Sequence, residues 1–355
     1  MNIRTGETNT ENQEVPLANR KPVLTIAIPT CNRAACLRDV LSLLAEQVRD
    51  EPRIELMISD NASSDETPAV VRDSMADGLS VRYIRNSNNI GADANFLQCF
   101  QMARGQYVWL FSDDDLIIPG AIPKILSYCE RAEYTLISLN AYGFDQSHKP
   151  AAAKSQDDVI EISSPNVYAS YVHVFFTFIS GNIINKGAAL PPGSFSFSDL
   201  AGSSLIQLSW TYAALNRFSR GLYVREKLIA VRLNNTGGYN LFQVFGSTLA
   251  RITRSWLQSA TVGQIVLNGT VQRFWPMMLL SYKKSAKAFL DRAEPHALLS
   301  PLFGGNFRYW IFAYPVIVLP RVLATGWVFL TRLLNALDKT AGYPMLRWRV
   351  SDKER

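Results

Sequence analysis

Histidine is nearly absent from this 355-residue chain, with three in all, and its four cysteines, Cys31, Cys36, Cys99 and Cys129, stand apart with no Cys-x-x-Cys pair. That argues against a disulfide framework and against a Cys/His zinc site, and it fits a reducing, cytosolic setting. The N-terminus lacks the apolar core of a secretory signal, and residues 1–20, polar and without apolar periodicity, read as disordered. Long hydrophobic runs are missing as well. From Phe307 to Leu337 the chain is strongly apolar, but Arg308, Arg321 and Arg332 leave stretches of only 12 residues (309–320) and 10 residues (322–331), and Pro315 and Pro320 interrupt it further. A helix that spans a bilayer needs about 20. An interfacial segment with snorkelling arginines fits better, the alternatives being a buried helix pair or an oligomer contact.

Acidic residues are scarce at the same end. Residues 251–355 hold 15 Lys/Arg against 5 Asp/Glu, net +10, which leaves 21 against 25, net −4, for residues 1–250. The acidic part reads as an enzyme body and the basic part as something that meets anions. Because the basic part also carries Trp310, Trp327 and Trp348, an anionic membrane surface is favoured over nucleic acid. An ordinary basic helical surface is the plainer alternative.

With 48% hydrophobic and 19% charged residues the chain is globular. Leu24 to Ile28 is short, apolar and β-branched, is stopped by Pro29, and is followed by Leu37, Val40, Leu41 and Leu44 at helical spacing. The pattern repeats. Ile54 to Ser59 reads as a strand, Ser64 or Asp65 caps a helix to about Met75, and Val81 to Ile84 is a strand again. A helix from about Ala94 to Ala103 then leads through Gly105 into the strand Tyr107 to Phe111. This alternation predicts an α/β fold, a Rossmann-like, doubly wound, mostly parallel sheet with its ligands at the carboxyl ends of the strands.

Polar clusters stand at those ends: Asn32 and Arg33, Asp60 and Asn61, Asn86 to Gly91, and Asp113 to Asp115. Each alone is ordinary turn chemistry, so their convergence on one sheet edge carries the argument. In Phe111-Ser-Asp-Asp-Asp-Leu-Ile-Ile-Pro119 three carboxylates would repel one another unless solvent or a cation neutralised them. Mg²⁺ or Mn²⁺, held by one or two carboxylates and completed by a diphosphate, suits such oxygens. An acidic loop capping the next helix is the alternative. Asp60 can accept hydrogen bonds from a nucleobase or simply close an Asx turn. In Asn86-Ser-Asn-Asn-Ile-Gly-Ala-Asp-Ala-Asn95 the glycine permits close approach of backbone to ligand, and the following helix start offers free N–H groups to phosphate.

In order along the chain, Thr25-Ile-Ala-Ile-Pro-Thr-Cys-Asn-Arg33, Ile58-Ser-Asp-Asn-Ala-Ser-Ser-Asp-Glu-Thr67, Asn89-Ile-Gly with Asn95, Ala103-Arg-Gly-Gln-Tyr107 and Ser112-Asp-Asp-Asp115 resemble the signature of the family 2 glycosyltransferases, over about residues 22–140. The resemblance implies a GT-A fold and transfer of a sugar from a nucleotide-sugar donor. It implies that Pro29, Thr30, Asn32, Arg33, Asn61, Asn89, Gly91 and Asn95 line the nucleotide site, with Asp60 on the base. Asp114 best matches the family's metal-binding aspartate, with Asp113 near the ribose or the metal and Asp115 beside them. Ser112 stands where the family has a further aspartate. Inverting members carry a Glu-Asp pair at the start of a later helix as the base. Here Phe197-Ser-Asp-Leu-Ala-Gly-Ser-Ser-Leu-Ile-Gln207 has Gly202-Ser203 at that place, so the nearest carboxylate, Asp199, is the candidate base, with a helix cap as its alternative role. His173, in an aromatic stretch, reads as packed. This variant end resembles the abequosyltransferase-like branch, which decorates bacterial surface polysaccharides such as O-antigen.

The implied organisation is a nucleotide-sugar-binding half at 21–145, an acceptor-binding half at 146–245 and a helical, membrane-associating region at 246–355. A glycan or lipid-linked saccharide would be the acceptor, reached from the inner face of the cell membrane. A sugar-phosphate nucleotidyltransferase would want a glycine-rich basic loop after the first strand, and Pro29-Thr-Cys-Asn-Arg-Ala-Ala35 has no glycine. A non-catalytic scaffold, motivated by the missing Glu-Asp pair, sits badly with an intact Asp60 and Asp113 to Asp115.

Overall fold

The computed structural model describes residues 21–144, 153, 156–189, 196–232, 240–284, 294–337 and 346–347; the expected disorder of residues 1–20 and Trp348 lie outside them. Strand and helix alternate as the apolar spacing requires, through β1 (Leu24–Thr30), α1 (Ala34–Val48), β2 (Ile54–Asp60), α2 (Thr67–Ala76), β3 (Arg82–Arg85), α3 (Ala92–Met102) and β4 (Tyr107–Leu110). There follow β5 (Leu116–Ile117), α4 (Ala121–Arg131), β6 (Leu136–Phe144), β7 (Val159–Ile162), α5 (Pro165–Val172), β8 (Asn182–Asn185), the single turn α6 (Lys186–Ala189), α7 (Leu208–Asn216) and β9 (Gly221–Arg232). The remainder is helical, with α8 (Leu249–Trp256), α9 (Ala260–Gly269), α10 (Trp275–Lys284), α11 (Pro295–Phe303), α12 (Tyr314–Val318) and α13 (Arg321–Leu337), before the two-residue β10 (Leu346–Arg347).

The strands form one sheet in the order β3-β2-β1-β4-β8-β6-β9-β5, with β7 added on β9 and β10 on β6. β3, β2, β1 and β4 are mutually parallel. β8 then runs antiparallel to both β4 and β6, so the sheet as a whole is mixed. One sheet thus crosses the boundary expected near residue 145, and the two halves share it. Helices cover both faces. α1 buries Leu37, Val40, Leu41 and Leu44 in one core with α4, while α3 and α7 contribute Phe100 and Trp210 to the other, where their rings stack at 4.5 Å.

Pro29 does not stop β1, which continues through Thr30 in register with Asp60. Alternation explains why. Phe111 N–H donates to the Ala27 carbonyl on the β4 side and Asn61 N–H to the Thr30 carbonyl on the β2 side, so Pro29 faces the β4 side. Pairing with β4 has ended there at Ala27, and the missing N–H breaks no ladder bond.

The C-terminal helices have a core of their own, in which Phe242 and Trp275 pack with Tyr309, Val316, Ala324 and Val328. α13 sends Ala324, Val328 and Thr331 inward and leaves Val322, Leu323, Phe329, Leu330, Leu333 and Leu334 exposed, Val322 at 82% and Phe329 at 62%. Its solvent side is therefore apolar, the reverse of an ordinary surface helix. Among the described residues no helix is long and apolar enough to cross a membrane.

Candidate active site

Two loops follow the first two strands, and they hold each other. Asn32, at φ +55°, donates its N–H to Ser63 Oγ at 2.9 Å, and its Oδ1 accepts from Ser64 N–H at 2.7 Å. Asp65 accepts from Ala34 N–H at 3.0 Å through one oxygen and from Thr67 through the other, so one carboxylate satisfies the starts of both α1 and α2. Asn61 donates to Asn89 Oδ1 and accepts from Ile90 N–H, which pins the third loop to the second. Gly91 opens α3 at φ +88°, a conformation that glycine adopts without strain. Buried Asn95 closes the set, accepting from Ser59 Oγ at 2.6 Å and donating to the Ser59 carbonyl.

Above these strand ends opens a cleft of 610 Å³. Of the residues expected at the site, Pro29, Thr30, Arg33, Asn61, Asn89, Asn95 and Asp113 to Asp115 line it. Asn32, Asp60 and Gly91 do not. Asn32 and Gly91 shape the loops, and Asp60 is fully buried beneath them, accepting from Ser63 N–H at 2.8 Å and Tyr83 O–H at 2.6 Å with Arg85 beside it at 3.4 Å.

The acidic segment is sorted by its neighbours. Thr30 donates to Asp113 at 2.7 Å, and Arg33 Nη1 lies 2.7 Å from Asp114 and 3.5 Å from Asp113, so two carboxylates converge on one cation. Ser112, in the place of the family's further aspartate, donates to the other oxygen of Asp114 at 2.5 Å. Burial pushes Asp113 up to about 7 against the pull of Arg33, and burial with the adjacent Asp114 charge pushes Asp115 to about 8. Asp115 is hydrogen-bonded to the Ser180 hydroxyl and the Arg232 backbone. Among the described residues no three His, Cys, Asp or Glu side chains form one metal-binding group. Of the three aspartates named for the ion, Asp113 and Asp114 face the same cation, and Asp115 has other hydrogen-bond partners. Asp113 and Asp114, already converging on one positive charge, fit a divalent ion that a diphosphate completes.

Asp199, the candidate base, lies apart from these groups. It is exposed on the single turn Phe197–Leu200 and does not line the cleft. The carboxylate that sequence reasoning passed over is Asp93, in the first turn of α3, which lines the cleft and accepts from Ser204 N–H at 3.0 Å. The facing wall was missed too. It consists of Val174, Phe175, Thr177, Phe178 and Ile179, then Ser204, Leu205 and Gln207, then Phe245 and Phe274. Gln207 is 7% exposed and donates to the Thr177 carbonyl, while its Oε1 has no partner among the described residues. His173 is packed as expected, buried at φ +39°, with neither ring nitrogen hydrogen-bonded among the described residues.

Residues 25–188 match the profile of glycosyl transferase family 2. This part of the chain is a family 2 glycosyltransferase domain. Over 111 residues the chain is 34% identical to abequosyltransferase RfbV of Salmonella typhimurium, covering 30% of this chain and 33% of that protein. Over 106 residues it is 30% identical to the GalNAc(5)-diNAcBac-PP-undecaprenol β-1,3-glucosyltransferase of Campylobacter jejuni, covering 30% of this chain and 34% of the other. The chain thus spans about a third of the length of the curated relatives it matches. Among solved structures, S. aureus TarS in complex with UDP aligns over 87% of this chain and 88% of its own, at 16% identity and a TM-score of 0.52. A mannosyltransferase from Pyrobaculum calidifontis in complex with GDP-Man and Mn²⁺ aligns over 91% and 89%, at 16% identity and a TM-score of 0.50. The family 2 domain and the rest of the sheet therefore share the GT-A-like fold of these proteins.

Proposed function

We propose that the protein is a glycosyltransferase that moves a hexosyl or deoxyhexosyl group from a nucleotide-sugar donor to a hydroxyl of a glycan or lipid-linked saccharide, in the building of a bacterial surface polysaccharide. One observation carries the reading: Asp113 and Asp114, fixed by Thr30, Ser112 and Arg33, meet at the carboxyl ends of parallel strands in a cleft of nucleotide-sugar size. Pro29, Thr30, Asn61 and Asn89 would flank the nucleotide, and the Asp60 carboxylate below them would read the base once Tyr83 or Ser63 yielded a contact. Mg²⁺ or Mn²⁺ on Asp113 and Asp114 would supply charge neutralisation for the departing diphosphate. The aromatic wall would receive the acceptor, with the open Gln207 Oε1 taking one of its hydroxyls.

The acceptor belongs at a membrane in this reading. The similar C. jejuni protein acts, by its name, on an undecaprenol-linked saccharide, and the apolar outer side of α13 with Phe307, Trp310 and the basic C-terminal region supplies a surface for an anionic inner leaflet. The test of the function is a thermal-shift panel of UDP, GDP, CDP and dTDP with and without Mn²⁺, followed by nucleoside diphosphate release from the matching nucleotide sugar. Stabilisation by one nucleotide and release from its sugar are expected. A chain that binds none and releases none is not a glycosyltransferase.

A further inference from the structure

Four carboxylates line the cleft among its described residues, and three are committed. Asp113 and Asp114 share Arg33, and Asp115 is held by Ser180 and the Arg232 backbone. No histidine, lysine or glutamate is among the described lining residues. The fourth carboxylate is Asp93, and no Lys or Arg among the described residues pairs with it. It accepts a hydrogen bond from the main-chain N–H of Ser204 at 3.0 Å, and the nearby main-chain N–H groups of Gly202, Ser203 and Ile206 add to the pull on its charge. They come from the segment 202–206, in which Gly202 at φ +78° and Ser204 at φ +59° are left-handed. A turn of that kind points successive N–H groups to one side and makes a concavity for an anion. Here the anion is a side chain from 109 to 113 residues earlier, carried on the donor half of the sheet and set at the edge of the aromatic wall.

We propose that Asp93 is the general base of the transfer, an assignment that rests on the glycosyltransferase reading above. Transfer removes a proton from the acceptor hydroxyl, and the group that takes it must lie in the cleft, be ionised and be free of the cation that serves the diphosphate. Asp93 alone among the lining carboxylates meets these conditions. Main-chain donors keep it ionised without neutralising it, and a carboxylate has more lone-pair sites than one N–H contact fills. Burial acts the other way and holds its proton affinity above that of an ordinary aspartate, which suits a base. In the same cleft, Gln207 Oε1 offers an acceptor to a second hydroxyl of the same sugar.

In the step, the acceptor oxygen bonds to the anomeric carbon while its proton passes to Asp93. The bond from that carbon to the diphosphate oxygen breaks, and its electron pair leaves with the nucleoside diphosphate. Asp93 then returns the proton to solvent, so the products are glycoside, nucleoside diphosphate and one proton. Attack opposite the leaving group inverts the anomeric configuration.

The test uses the full chain and the nucleotide sugar that the wild type consumes, read as nucleoside diphosphate release. Asp93→Ala should lose about 10²- to 10⁴-fold in kcat with unchanged affinity for the nucleoside diphosphate. Added sodium formate should restore at least tenfold, because a small carboxylate can enter the vacated space, and Asp93→Glu should keep more activity than Asp93→Ala. Wild-type rates in Asp93→Ala, or a slow variant that formate leaves slow, would overturn the assignment and make Asp93 a strut for the 202–206 turn. A wild type that consumes no donor would instead overturn the glycosyltransferase reading.

Discussion

The wall of the cleft built by the ends of β1 to β4 is polar and cross-braced, whereas the wall facing it, from Val174 to Ile179 and from Ser204 to Gln207, is aromatic and carries few polar groups. On the first wall each loop is tied to the next through side chains, Asn32 to Ser63, Asn61 to Asn89 and Thr30 to Asp113, so charged groups are held in place before any ligand arrives. On or directly behind the second, Gln207 Oε1 and both His173 nitrogens lack partners among the described residues, and His173 and Ser204 hold positive-φ backbone that most residues avoid. The difference teaches that the two substrates are handled differently. A diphosphate needs fixed charge, while a sugar acceptor is recognised by shape and a few hydroxyl contacts.

The comparison breaks most visibly at Asp114. Asp114→Asn removes one of the two charges that converge on Arg33 and keeps an oxygen for Ser112 to donate to. Transfer should fall about 10³-fold and Mn²⁺-dependent nucleotide binding should weaken, with Tm little changed. If turnover stays within a fewfold of wild type, the polar wall is not where the reaction occurs.

A second test separates the cleft from the apolar side of α13. Val322→Glu with Phe329→Glu charges two outward side chains that the third core does not use. Each buried apolar side chain contributes about 1.5–3 kcal/mol, so binding to vesicles containing anionic phospholipid should drop on the order of 100-fold or more. Nucleotide binding should stay as it was. Equal vesicle binding in the double variant would leave α13 as a contact between protein chains. Truncation after Gly305 is a poor substitute for this experiment, since it would remove Tyr309, Ala313, Val316, Ala324 and Val328 from that core.

A smaller effect is expected at Asp60. Asp60→Asn puts an amide opposite donors that Asp60 now satisfies, so stability should fall by about 1–3 kcal/mol. If the carboxylate also reads the base, the donor's KM should rise about tenfold and the nucleotide preference should relax. Tyr83→Phe removes one brace and keeps the carboxylate, so it should lower Tm with the preference intact. Equal loss of stability and equal preference in both variants would confine Asp60 to bracing.

What the sequence made legible is the polar wall, and the reason is local. Strand, loop and helix alternate within about 90 residues there, and the functional side chains directly follow apolar strands, so period and punctuation suffice to find them. The aromatic wall is assembled from segments 175, 205, 245 and 274 that no short period connects. The partner of Asp93 is a set of main-chain N–H groups, which a side-chain pattern does not announce. Asp115 shows the same limit at short range, because its hydrogen bonds to Ser180 and the Arg232 backbone are not written in its adjacency to Asp114. The C-terminal region was legible as helical, basic and apolar, but its private core depends on contacts between α10, α12 and α13 that spacing alone does not reveal.

His173 offers the smallest and most specific probe of the aromatic wall, because its chain neighbours Val174 and Phe175 line the cleft. Gly269 of α9 approaches so closely that a Cβ there would lie 2.4 Å from the His173 Cβ, so only glycine fits against His173 at that point. Burial holds its pKa well below the usual value, and the charge of Arg273 pushes the same way. The folded protein therefore keeps His173 neutral, while the unfolded chain takes up a proton below about pH 6.5. More protons bind to the unfolded state in that range, so His173 costs stability as the pH falls, by at most about 1.4 kcal/mol per pH unit. His173→Phe keeps a ring of similar size and removes the titration. Between pH 7 and pH 5 the Tm of the variant should rise by a few degrees relative to wild type measured beside it, whatever the other groups contribute to both. A difference that stays flat with pH would mean that the imidazole is protonated in the fold, and that this part of the wall is wetter and looser than its packing implies.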